Sequence, residues 1–458
     1  MFAKVWYNFG GGIVMIYVKD IVNICKGELI SGDENIVCIN FTKDTRNCYD
    51  GDVYFGIRGE NFDGNSFYKE AFLKGSKVCV LDNIEVIDRD YIRDKTVVLV
   101  SDSVKALQDI AKYKRELYDI PVVGITGSTG KTSVKDMIYK ILSKKYKVLA
   151  TEGNFNNEIG LPLTILKLKD EECLVLEMGM NHFKEMHDLS NIAKPNVAVI
   201  TNIGTSHIGN LGSRENILKA KLEILDGMVD GTLIINNDND LLRTVKYDNL
   251  ITVGIDKKSD YMVHDLKEGV FSSEFYINDR YVTIPVGSRA YVYNALLAYA
   301  VGKKLGVSDD DIVDALKEFK LTPHRLEVLR KDNVTIIDDT YNASLDSVKN
   351  ALSMLSKVDG RKVFIFADIL ETDNFSADIH KSIGKECVDK NIDVVICVGE
   401  LARYTYDIVK DRNIDSYYFH NNQELLEKIE TIIKDGDTIL VKGSHSMNLI
   451  EVVNYLIK

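Results

Sequence analysis

Between an apolar stretch at 121–125 and an amphipathic one that follows stands Gly124-Ile-Thr-Gly-Ser-Thr-Gly-Lys-Thr132, and no other run limits the fold of this chain as strongly. Val134, Met137, Ile138, Ile141 and Leu142 recur at helical spacing, so the glycine-rich run joins a strand at 121–125 to a helix N-terminus. Unpaired backbone N–H groups and the positive end of the helix dipole converge there, which suits a polyanion. Gly127 and Gly130 let the backbone close on phosphate oxygens, Lys131 can reach terminal phosphates, and Thr132 offers a hydroxyl to a magnesium ion. The strict phosphate-loop pattern asks for glycine at 125, where this chain has isoleucine with Gly124 one step earlier.

A loop of this kind needs a parallel sheet around it, and 458 residues allow two to four domains. Strands at 122–125, 174–177, 197–201 and 233–236 are short and nearly all apolar, as in a sheet buried on both faces. They define a central unit at 111–322. Strands at 36–41, 53–57, 77–81 and 97–100 mix with helices in a smaller α/β unit at 15–110. After Leu321-Thr-Pro-His-Arg325 the alternation restarts, with strands at 334–338, 362–366, 394–398 and 438–441, giving a Rossmann-like unit at 323–458. The expected fold is therefore α/β in three domains, the central one mainly parallel.

Charge and cysteines narrow the function. A net charge of −12 argues against wrapping nucleic acid, whose phosphates require a basic surface. The seven cysteines (25, 38, 48, 79, 173, 387, 397) form no CxxC pair and fit reduced thiols of a cytoplasm. No apolar run is long enough for a membrane span. Residues 1–14 lack the apolar core of a signal peptide, and both Met1 and Met15 stand as possible starts.

In open parallel sheets, ligands gather beyond the carboxyl ends of the strands. Glu177-Met-Gly-Met-Asn-His182 and Thr201-Asn-Ile-Gly-Thr-Ser-His207 begin there, the first offering a hard oxygen ligand suited to Mg²⁺. Gly153-Asn-Phe-Asn-Asn-Glu-Ile-Gly160 is either a plain turn or a ligand loop. On the helix at 215–225, Ile217, Leu218, Ile224 and Leu225 form the apolar face, so spacing alone leaves Lys219 and Lys221 facing solvent.

These clusters, in this order, resemble the Mur ligase family, the ATP-dependent amide-forming enzymes of bacterial cell-wall synthesis, over essentially the whole chain after Met15. The resemblance implies that Gly127, Ser128, Thr129, Gly130, Lys131 and Thr132 hold ATP. It places Glu177 and His207 as magnesium ligands with Thr132. Lys221 matches the family lysine that is carbamylated and so becomes a further metal ligand, which reverses the expectation from spacing. Lys131, Lys221 and His207 are then the catalytic set. Asp338-Asp-Thr-Tyr-Asn-Ala343 is similar to the ribose- and phosphate-contacting stretch, with Asp339 on the ribose and Tyr341 and Asn342 beside it; Arg325 reaches back to ATP. Of the family's Gly-x-His-Asn only Asn294 remains in Arg289-Ala-Tyr-Val-Tyr-Asn294.

Within the family the likeness is to the branch that adds D-alanyl-D-alanine to UDP-N-acetylmuramoyl-tripeptide. Asp44, Thr45 and Arg46, with Val53-Tyr-Phe-Gly-Ile-Arg-Gly-Glu60 and Phe62-Asp-Gly64, look like its UDP-binding domain, although Asn65 stands where a histidine is usual. Asn154, Asn156 and Asn157 match its asparagine loop, and Asp368, Glu371 and His380 have its spacing on the dipeptide side. The Asp-Asn-Pro-Arg motif of the diaminopimelate-adding relative is absent, since Asp373-Asn374 runs into Phe375-Ser376. The implied chemistry is an acyl phosphate made with ATP and Mg²⁺ by a cytoplasmic monomer, with large domain rotation about linkers near 110 and 322. The rivals are a tripeptide-forming Mur ligase, a folylpolyglutamate synthase, or a nucleotide-binding cell-wall regulator that has lost turnover.

Overall fold

The computed structural model describes residues 15–59 and 61–458. The alternative start, the glycines at 10–12 and Glu60 of the UDP-like segment lie outside the described residues or beside their edge. Among the described residues, three larger sheets follow one another along the chain.

The first sheet runs Glu28–Ser31, Thr96–Leu99, Val78–Leu81, Val53–Phe55, Phe41–Thr42, parallel except for its antiparallel first strand. The strand expected at 36–41 is broken into Val37–Cys38 and Phe41–Thr42, which pair with different partners. Asn65 lies in the interior of this domain. Its amide donates to Asp63 Oδ1 at 2.7 Å and Asp82 Oδ1 at 2.8 Å, and its carbonyl accepts the Asp82 N–H at 2.9 Å. The residue is 0% exposed and ties two loops together. Asn65→Ala should cost about 2–3 kcal/mol, because it leaves buried partners unpaired; a urea melt of the variant measures this.

The expected linker near 110 falls inside a continuous helix, Ser103–Glu116. Its first turn is fixed to the N-terminal domain, where Ser103 N–H donates to Asp82 Oδ2 at 3.0 Å. Its last turn is fixed to the central domain, where Lys114 Nζ donates to the Leu166 carbonyl at 2.6 Å and Arg115 Nε to that of Ala193 at 3.0 Å. Burial brings the Lys114 amine down to about 8. The 110 region is thus helical, whereas the 322 region is loop between the helix Asp309–Lys317 and the strand Glu327–Lys331.

The central sheet places Val122–Thr126 between Cys173–Glu177 and Val197–Ile200, all parallel, with Val148–Ala150 on one flank and Thr232–Asn236 and Leu250–Gly254 on the other. Three further strands extend it: Tyr261–Glu268 pairs parallel with Leu250–Gly254, and Ser273–Ile277 and Arg280–Ile284 follow antiparallel. Their alternation of buried and exposed residues shows one face in water. The third sheet runs Glu327–Lys331, Val334–Asp339, Thr438–Lys442, Lys362–Ala367, Val394–Val398, Asp415–Phe419 and is parallel apart from its first strand. All of its inner strands are fully apolar in the middle, which is why they were legible.

Candidate active site

The glycine-rich run turns where the strand Val122–Thr126 ends and the helix Lys131–Leu142 begins. Gly127 has φ 150° and lies so close to the Thr201 hydroxyl that a methyl group there would overlap it. The neighbouring strand end clamps the turn: Thr129 N–H donates to Asn202 Oδ1 at 2.9 Å, and Gly204 N–H to Ser128 Oγ at 2.9 Å. Lys131 folds back and donates to the Gly127 carbonyl at 2.9 Å. Burial depresses its amine, opposed by the Glu177 carboxylate and aided to a lesser extent by the Arg325 guanidinium.

Thr132 is the crossing point. Its hydroxyl donates to Glu177 Oε2 at 2.8 Å and accepts from Arg325 Nη2 at 3.0 Å, while Asn156 Nδ2 donates to the other Glu177 oxygen at 2.8 Å. Arg325 also lies 3.9 Å from the centre of the Tyr341 ring. One guanidinium thus connects the phosphate loop with the C-terminal domain. Lys221, on the helix Arg214–Leu222, is 1% exposed and makes no hydrogen bond or ion pair among the described residues. Burial, with repulsion from Lys131, holds its amine well below the ordinary lysine value. The solvent-facing position given by spacing is therefore incorrect for Lys221, though Lys219 is exposed. Lys221 lies four residues after Ile217 and three before Ile224, so it shares their buried face with Ala220.

These groups fit a magnesium ion. A strand-end carboxylate, a threonine hydroxyl and a histidine are hard or borderline donors of the right charge, and the unpartnered Lys221 amine is a site for added negative charge. His207 caps a short helix with φ 62°. Its Nδ1 lies 3.0 Å from Glu371 Oε2 of the C-terminal domain, off the ideal hydrogen-bond line.

A cavity of 1090 Å³ opens over the loop and is lined from the central and C-terminal domains. It collects Ser128 to Thr132, Asn156, Asn157, Glu177, His207, Asn294, Arg325, Asp339, Tyr341 and Asn342 from the expected set. Gly127 and Lys221 stand just behind the wall. Asp339 is held by Lys442, whose Nζ donates to its Oδ2 at 2.6 Å, and by the Leu326 N–H at 3.2 Å. Lys442, 1% exposed yet on the wall, was missed; a lysine closing an apolar strand was the available signal. Asp238 and Tyr293, joined at 2.8 Å, were missed as well.

Several expected contacts lie elsewhere. Asn154 is exposed outside the cavity. Asp44 and Arg46 form an ion pair at 2.7 Å on the N-terminal domain, and Thr45 turns inward to donate to Glu70 at 3.0 Å. The three dipeptide-side residues, Asp368, Glu371 and His380, lie outside this cavity. His380 is 0% exposed, with Nε2 accepting the Ile369 N–H at 3.1 Å and Nδ1–H donating to the Ser376 carbonyl at 2.7 Å, so it braces a loop. Burial keeps it neutral by lowering its pKa. Asp368 accepts the Ala402 N–H at 2.7 Å, serving the start of the helix Arg403–Val409. Glu371 faces His207 and does not line the cavity.

The family models for the Mur ligase middle domain and the Mur ligase, glutamate ligase domain match residues 125–302 and 324–445. The UDP-N-acetylmuramoyl-tripeptide–D-alanyl-D-alanine ligase of Bacillus subtilis (strain 168) is 36% identical, covering 96% of this chain and 98% of that protein. Its Escherichia coli (strain K12) counterpart is 29% identical over 97% and 99%. Among solved structures, MurF from Acinetobacter baumannii superposes with a TM-score of 0.90 at 27% identity, covering 97% of this chain and 99% of that one. MurF ligase from Thermotoga maritima in complex with ADP gives 0.81 at 29% identity, over 91% and 96%.

Proposed function

This chain belongs to the Mur ligase family, and from that premise we propose that it joins D-alanyl-D-alanine to UDP-N-acetylmuramoyl-tripeptide, splitting ATP to ADP and phosphate in peptidoglycan precursor synthesis. Full-length similarity to ligases of that name supports the substrates, and one observation on the site carries the chemistry. Glu177, Thr132, Arg325 and Tyr341 form an unbroken set of contacts from the phosphate loop to the C-terminal domain, with Lys131 beside them on the loop. A nucleotide triphosphate seated there meets both domains.

A carboxylate does not condense with an amine near neutral pH, because it offers no leaving group. Transfer of the γ-phosphoryl group to the tripeptide carboxylate, with ADP leaving, supplies one. The dipeptide amine then attacks the acyl carbon, phosphate departs, and the amine gives up its proton. Lys131 and the loop amides are placed to offset charge on the transferring group. Arg325 is placed to neutralise the nucleotide from the C-terminal side, and the clamp from Asn202 keeps the loop amides aimed. Thr132, Glu177, His207 and carbamylated Lys221 would hold Mg²⁺, which draws charge from the phosphate oxygens. The Asp44–Arg46 region would take the UDP moiety, in a cytoplasmic, monomeric enzyme. Among the described residues, no helix is long and apolar enough to cross a membrane.

The test is a matrix of UDP-muramoyl peptides against amino acids and dipeptides, read as phosphate release. Release should require both the UDP-tripeptide and D-alanyl-D-alanine. Turnover driven by free glutamate with a folate, or by the UDP-dipeptide with a single amino acid, would move the chain to another branch.

A further inference from the structure

The C-terminal domain meets the central one at a second place, and strained backbone builds it. After the strand Lys362–Ala367 the chain turns through Glu371 at φ 59° and Asp373 at φ 40°, left-handed conformations unfavourable for residues other than glycine. Such strain persists only where the surroundings enforce it. Here the brace is His380, which grips Ile369 and Ser376, helped by the Thr372 hydroxyl donating to the Ile369 carbonyl at 3.2 Å. Facing the turn is the short helix Ile208–Leu211. At Gly209 an added methyl group would overlap the Asp373 carboxylate and lie 3.1 Å from the Glu371 carbonyl. In this seat the Glu371 carboxylate reaches His207 Nδ1. Among the described residues Nδ1 has no partner other than this carboxylate, 3.0 Å away, and Nε2 makes no hydrogen bond or ion pair.

We propose that Glu371 is a positioning residue: when the C-terminal domain docks, its carboxylate holds the His207 ring through Nδ1 and presents Nε2 to the metal ion. The inference rests on His207 being a metal ligand. A carboxylate at one ring nitrogen keeps the proton there, leaves the lone pair on the other, and makes it a stronger ligand. The metal site is then complete only when the two domains are together, which ties metal capture to closure. This role stands in place of a dipeptide contact.

The test uses the full-length enzyme with ADP and UDP-muramoyl-tripeptide, titrated with Mn²⁺ as the probe and read by electron paramagnetic resonance. Glu371→Ala and His207→Ala should each raise the Mn²⁺ Kd by about ten- to a hundredfold, the usual range for loss of such support. Glu371→Gln, which keeps an acceptor without the charge, should fall between these and the unaltered enzyme. Gly209→Ala, by obstructing the seat, should reproduce Glu371→Ala, and Glu371→Ala should add nothing in the His207→Ala background. If His207→Ala weakens Mn²⁺ binding and Glu371→Ala does not, the ligand stands and the positioning role falls. A rise confined to the KM of D-alanyl-D-alanine would likewise overturn it and return Glu371 to the substrate. Unaltered Mn²⁺ binding in His207→Ala would remove the premise as well.

Discussion

Lys131→Ala should lower kcat for ligation by on the order of a thousandfold, the upper range for losing one charge-stabilising donor at a reacting centre, and leave folding intact. Lys131 begins a helix at the carboxyl end of the central sheet, beside Glu177 and Arg325. Its bond to the Gly127 carbonyl is a resting contact that a phosphate oxygen can replace. Arg325, which reaches the neighbouring Thr132 hydroxyl from the C-terminal domain, lies across the loop and does not share the Gly127 contact of Lys131. Single-turnover measurement of ADP formation, with a thermal melt as control, gives the outcome. Near-normal turnover would mean that the loop does not cradle the transferring phosphate.

The second large effect concerns Lys221. Its amine lies in the interior without a partner, and burial and Lys131 both push it toward the neutral form. A buried cation left uncompensated is costly. A neutral amine can add CO₂ and release a proton, and the resulting carbamate reverses the sign of the charge. That anion suits Lys131 and a metal ion alike. Lys221→Ala should therefore reduce turnover by on the order of a hundredfold or more, as for loss of metal support, and added formate or acetate should restore part of it by occupying the vacated space. Removing CO₂ from the unaltered enzyme should depress activity reversibly. Full activity in Lys221→Ala, or a loss that short carboxylates never relieve, would make the lysine a packing residue.

Both effects come from residues whose importance was visible to different degrees in the sequence. The loop at 124–132 announced itself because strand, glycine turn and helix are local, and their periodicities need only neighbouring residues. Buried parallel strands were legible for the same reason, being continuous apolar runs such as Val394–Val398. The antiparallel ribbons escaped because half of each faces water, so Tyr261–Glu268 carries Lys and Glu among its apolar residues. Lys221 was assigned to solvent by its charge, although it stands on the same helix face as the buried Ile217, Ala220 and Ile224.

By itself, then, the sequence determined the order of three α/β units and the phosphate loop, because each depends on short-range pattern. Only the tertiary structure decided which of the marked residues meet: that Arg325 joins Thr132 to Tyr341, that Lys442 holds Asp339, that Asn65 and His380 are internal braces, and that Glu371 faces His207. Such contacts bring together side chains far apart along the chain. Their partners are chosen by how sheets, helices and domains pack, and no local run of residues carries that information.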